Sequence, residues 1–140
     1  MRQILLFAAL ATSLALLSGC TLSKTKADTA EDMTGKAAYH KISAEEAYEM
    51  MASQEVVVVD VRTREEYDGG HIENAVLVPN ESIGSEMPEG LPDKEATLLV
   101  YCRSGRRSKD AAEKLLALGY QSVYDFGGVI DWPYELVKEE

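Results

Sequence analysis

Apolar and polar positions alternate along this chain in blocks of different period, and each block predicts an element. Residues 4–17 (ILLFAALATSLALL) carry no charge and follow the positive start MRQ. Residues 21–38 (TLSKTKADTAEDMTGKAA) are polar with no sustained apolar period, which predicts a tether. In AEEAYEMMAS, Ala44, Ala47, Tyr48 and Met51 share one face at helical spacing. Ser43 and Glu46 before and within it form a capping box. Residues 55–61 (EVVVVDV) are β-branched without alternation, the pattern of a strand buried on both faces. Thr63 opens a short helix that Gly69 and Gly70 end, and residues 75–78 make a short strand stopped by Pro79. Residues 80–94, with Pro88, Pro92, Gly84 and Gly90, read mainly as loop with at most one helical turn.

Residues 97–101 (TLLVY) predict a third buried strand, with Cys102 directly after it. From Arg106 the period becomes helical, with Ala111, Ala112, Leu115, Leu116 and Leu118 inward and Gly119 closing the helix. A fourth strand follows over residues 122–125, then a turn at Gly127 and Gly128 and a last helix over residues 129–137. Strands alternating with helices predict an α/β fold with a mostly parallel central sheet and helices on both faces.

The 140 residues suffice for one domain, over residues 39–140, and a 46% apolar content supports a core. A net charge of −10 argues against nucleic acid as a partner, since phosphate binding needs a basic face. It leaves room for a local cationic pocket. The apolar stretch at residues 4–17 is short of the roughly 20 residues that span a membrane and suits a signal peptide. A buried core helix fits poorly at the start of a chain before a polar linker. LSGC, residues 17–20, resembles a lipobox, the processing site of bacterial lipoproteins. That resemblance implies residues 1–20 as a lipoprotein signal, with Cys20 acylated and first in the mature chain. The domain would then be extracytoplasmic and lipid-anchored to the cell envelope. Thr21 is not the aspartate that retains such proteins at an inner membrane, which favours the outer one where two membranes exist.

With Cys20 so used, Cys102 has no partner cysteine. An inert core thiol is the plain reading, and its neighbours weigh against it. A loop between a strand end and a helix start aims several backbone N–H groups at one point, and the helix dipole adds to them. A thiol placed there loses its proton readily, and the thiolate is the nucleophile. Arg103, Arg106 and Arg107 add positive charge, Ser104 and Ser108 can donate hydrogen bonds, and Gly105 lets the backbone curl. A solvated face accounts for one of these arginines but not for the whole run.

These residues resemble the rhodanese family. CRSGRRS, residues 102–108, is similar to its active-site loop. DVRTREEYDGGHIENAVLVPN, residues 60–80, is similar to its upstream signature, and FGGVIDWP, residues 126–133, to its C-terminal glycine pair and tryptophan. The resemblance implies sulfur transfer through a Cys102 persulfide from a small sulfur-containing anion such as thiosulfate. The acceptor would be cyanide in an assay and a thiol, or a dithiol protein, in the cell. It implies a persulfide cradle from Arg103 to Ser108, with Arg107 and Ser108 giving side-chain help and Arg106 at the rim. No metal or organic cofactor is implied. Asp60 and Arg62 are expected to brace the loop region by charge pairing, and His71 to hold a turn. Trp132 is expected in the core, and His40 has no evident role.

Two rivals remain from the sequence. One is a module that relays a persulfide to one dedicated partner without general turnover. The other is a phosphatase or arsenate reductase, whose loop carries arginine six residues after the cysteine. Here that position is Ser108, so phosphatase activity is expected to be absent.

Overall fold

The computed structural model describes residues 37–138; the predicted leader, Cys20 and the tether up to residue 36 lie outside them. The elements run β1 (Ala38–Lys41), α1 (Ala44–Ser53), β2 (Val57–Asp60), α2 (Arg64–Asp68) and β3 (Val76–Leu77). A 3₁₀ turn (Asn80–Ser82), β4 (Thr97–Cys102), α3 (Arg106–Ala117), β5 (Ser122–Gly128) and a second 3₁₀ turn (Val129–Asp131) follow. The five strands form one sheet in the order β1-β5-β4-β2-β3, every pair parallel.

The runs without alternation are the central strands, as expected of a sheet covered on both faces. Along β4, Leu98, Val100 and Cys102 join the apolar cluster under α3. Leu99 and Tyr101 point the other way, into the cluster under α1 with Ala47 and Tyr67. Leu98, Leu99 and Val100 are fully buried, each contributing about 1.5–3 kcal/mol. The predicted Ser43–Glu46 capping box is present, and Thr63, predicted to open α2, exchanges the same pair of bonds with Glu66. Helix α3 buries Ala111, Ala112 and Leu115, with Leu116 and Leu118 packed partly against them. Gly119, at φ +96°, ends it: its N–H reaches Leu116 O and the Tyr120 N–H reaches Leu115 O.

Three expectations are corrected. The last helix over residues 129–137 is absent. Only the Val129–Asp131 turn forms, Pro133 cannot continue a helix, and Val137 instead bridges His71 antiparallel. Gly127 and Gly128 are not a turn but the end of β5. Opposite them the register slips, Val100 pairing Asp125 while Cys102 pairs Gly128, so β5 bulges by one residue beside Cys102. A strand not foreseen, β1, pairs with β5 from Ala38↔Ser122 to Lys41↔Asp125. Its His40 ring stacks on Tyr124 with centroids 4.6 Å apart. In α1, Tyr48 lies outside the core, exposed and stacked on Tyr134.

Candidate active site

Cys102 ends β4, at the carboxyl edge of the sheet where ligands of such folds sit. The chain turns over Arg103 and Ser104 and reaches Gly105, the N-cap of α3, in the left-handed region at φ +96°. No side chain caps α3, so its first N–H groups are open to another acceptor. That acceptor is the sulfur. The Gly105 N–H donates to Cys102 Sγ at 3.1 Å. Burial pushes the thiol pKa up, but the N–H groups of Ser108, Gly105 and Ser104, with a smaller part from the Ser108 hydroxyl, outweigh it and hold the thiol below its ordinary value. Cys102 is 1% exposed, so its sulfur is surrounded by fixed backbone dipoles rather than by water.

The wall opposite the loop is the end of β5. A Cβ on Gly128 would collide with the Arg103 carbonyl oxygen and lie 2.6 Å from Ser104 Cα, so only glycine allows this approach. The Ile130 N–H donates to Arg103 O at 3.2 Å from the same wall.

The three loop arginines divide. Arg107 makes a two-pronged pair with Glu66 of α2, 2.8 Å at each oxygen. Its charge still acts on Cys102, but the guanidinium is engaged rather than free for substrate. Arg103 and Arg106 are exposed and form no salt bridge among the described residues. Arg106 and Arg107, with Asn80, Glu81 and Asp110, line a cavity of about 410 Å³ beside the first turn of α3. Ser104 is exposed, whereas Ser108 is fully buried.

Asp60 and Arg62 form a buried pair at 2.6 Å. Arg62 also donates to Gly70 O, and its guanidinium lies 5.5 Å from the Tyr101 ring centre. Tyr101 accepts the Ile72 N–H at 3.1 Å, and burial first, then the nearby Asp60 carboxylate, push its hydroxyl pKa up. The pair therefore braces the residue before Cys102 and the turn after α2, and none of its bonds among the described residues reaches the sulfur loop itself. His71 holds that turn, its Nδ1 2.9 Å from Tyr67 O. Trp132 is half-buried against Phe126, Tyr134 and Tyr48.

Two residues of the site went unforeseen. Glu66 closes the α2 capping box and grips Arg107 at once. Asp125 is a buried carboxylate in β5, 1% exposed. Its Oδ1 accepts the Ser108 hydroxyl at 2.7 Å and the Gly127 N–H at 2.8 Å. Its Oδ2 accepts the Tyr39 hydroxyl at 2.9 Å and the Lys41 ammonium at 3.2 Å. Among the described residues no group of three or more His, Cys, Asp or Glu is placed to hold a metal.

The family model described as a rhodanese-like domain matches residues 43–133. The chain belongs to the rhodanese-like family. A tRNA uridine(34) hydroxylase of Hamiltonella defensa is 34% identical over 121 residues, 81% of this chain and 34% of that protein. The chain thus spans about a third of the length of the curated relatives it matches. A rhodanese from E. coli solved with anions is 34% identical, TM-score 0.55, covering 61% of this chain and all of the other. A human single-domain sulfurtransferase is 25% identical, TM-score 0.59, covering 66% of this chain and 93% of the other. The fold is the rhodanese fold, and a sulfurtransferase is among its structural neighbours.

Proposed function

We propose that this chain is a sulfurtransferase that carries a sulfane sulfur as a persulfide on Cys102. The observation that carries the reading is Cys102 Sγ facing the uncapped N-terminus of α3, its thiol held below the ordinary value. The thiolate attacks the outer sulfur of a donor such as thiosulfate. A new S–S bond forms at Cys102, and the donor's own S–S bond breaks, sulfite leaving with the electron pair. The persulfide anion then occupies the cradle of N–H groups from Arg103 to Ser108, which suit a delocalised anion as an oxyanion hole does. An acceptor nucleophile, cyanide in an assay or a thiol in the cell, takes the outer sulfur and returns Cys102 to thiolate. Exposed Arg103 and Arg106 are the cations suited to draw in the donor anion.

A sulfur only 1% exposed suits a small, slender donor better than a phosphoester. At the sixth position after Cys102, Ser108 is buried and bonded to Asp125, where a phosphatase needs a guanidinium. The RNA named for the curated relatives fits poorly with a net charge of −10. A dedicated relay to a dithiol protein is the second reading, and the same persulfide serves both. We also propose that Cys20 is acylated and anchors the domain to the outside of a bacterial envelope.

The test is thiosulfate:cyanide turnover by the full chain beside Cys102→Ser, with an aryl phosphate as second substrate. Sulfur transfer lost in the variant, with no phosphate release, is expected. Phosphate release dependent on Cys102 would overturn the reading.

A further inference from the structure

The sulfur chemistry makes no use of an aromatic cluster that stands apart from it. Tyr48 of α1 and Tyr134 lie face to face, ring centres 3.9 Å apart at 16°. Trp132 stands edge-on to both, 6.1 Å from Tyr48 and 4.9 Å from Tyr134. The two tyrosines are 46% and 36% exposed. Large rings that pack on one another at the surface rather than into the core mark a binding face. The buried Trp132 Nε1 has no hydrogen-bond partner among the described residues, so ring packing alone sets the indole's place.

All three rings line a cavity of about 450 Å³, together with apolar side chains of α1 and β2, and that volume is ordinary for a small-ligand site. Its charged lining residues are Glu73 and Glu135, and among the described residues no lysine or arginine lines it. Both glutamates are exposed and form no salt bridge among the described residues. The lining shares no residue with the sulfur loop or with the cavity beside Arg106. Ring faces carry negative charge density and attract a cation, and the two carboxylates add to that field. An anion finds no partner here. A primary ammonium is strongly hydrated, whereas a quaternary one brings methyl groups for the rings and a diffuse charge for the carboxylates.

We propose that this cavity binds a quaternary ammonium group, its methyls against Tyr48, Trp132 and Tyr134 and its charge beside Glu73 and Glu135. The group can arrive on a free organic cation or on a choline-type lipid headgroup, and the chemistry that recognises it is the same. The proposal does not rest on the sulfurtransferase reading.

The test is a titration of the full chain with choline at constant ionic strength. It is read by the fluorescence of Trp132, the chain's only tryptophan, and by saturation transfer to the choline methyl protons. Saturation with a midpoint below about 20 mM is expected, and the neutral isostere, with carbon in place of the charged nitrogen, is expected to bind at least ~10-fold more weakly. Glu73→Gln with Glu135→Gln, and separately Tyr48→Ala, change exposed side chains, and each is expected to weaken choline about 3–10-fold in a chain that still melts cooperatively. Glycerophosphocholine separates the two sources: binding tighter than choline assigns the lipid headgroup, and binding no tighter assigns the free cation. No saturation by about 50 mM in either readout, an isostere within about 2-fold of choline, or carboxylate variants that bind choline as the parent does would each overturn the proposal. Choline donates no sulfur, so thiosulfate turnover measured beside it stands or falls separately.

Discussion

Glu66 is the residue that most changes the picture of the loop. Bound to both prongs of Arg107, it turns a cation expected to serve the substrate into a structural tie between α2 and α3. Its bond with Arg107 comes first among the causes that bring its carboxyl from the ordinary 4.5 down to about 2. A carboxyl lowered on folding adds stability above its unfolded value, and that stability drains away as pH falls toward the folded one. Glu66→Gln is therefore expected to cost about 1–2 kcal/mol at pH 7. In urea denaturation the gap between variant and parent should narrow from pH 4.5 down and close near pH 2. A gap that persists at pH 2 would mean the tie works by shape rather than charge. Cys102 and its loop were legible in the sequence because their chemistry is local, packed into seven consecutive residues. Glu66 and Asp125 were not, since their partners Arg107 and Ser108 lie 41 and 17 positions away.

At the scale of elements, the buried strands and the three helices α1 to α3 could be read because apolar period and capping chemistry are written side by side. Strand β1 could not. Three of its four residues are exposed, and it is held by parallel backbone pairing with β5 rather than by an apolar pattern. A chain starting at Ser43 should thus be less stable than one starting at Ala37. It strips the Tyr39 and Lys41 donors from a buried carboxylate, at a cost of about 2–4 kcal/mol by urea midpoint. Equal midpoints would show that β1 is dispensable. The false last helix has the opposite cause: apolar residues at helical spacing around Trp132 pack the α1 face from an extended chain instead. The end of β5 yields a sharper contrast. Gly128→Ala drives a methyl into the Arg103 backbone and should lower sulfur transfer at least ~10-fold and stability by more than about 2 kcal/mol. Gly84→Ala, with nothing within 4 Å of the new methyl, should change neither in the same assay and melt. A silent Gly128→Ala would mean the loop can retreat without loss.

For the whole molecule, a sheet covered on both faces presents one chemically distinct edge, the carboxyl end where β4 and β5 meet α3. Cys102 lies there, at the end of β4. The proposed lipid anchor is a separate claim: Cys20→Ser should abolish incorporation of labelled fatty acid and release the domain from membranes, and unchanged labelling would contradict it. The central claim is the persulfide, and the most direct measurement is the mass of the Cys102 peptide after thiosulfate, digested without reductant. One added sulfur on that peptide, absent in Cys102→Ser and removed by cyanide, is the result expected. A thiosulfate-treated chain whose Cys102 stays a bare, alkylatable thiol would contradict it.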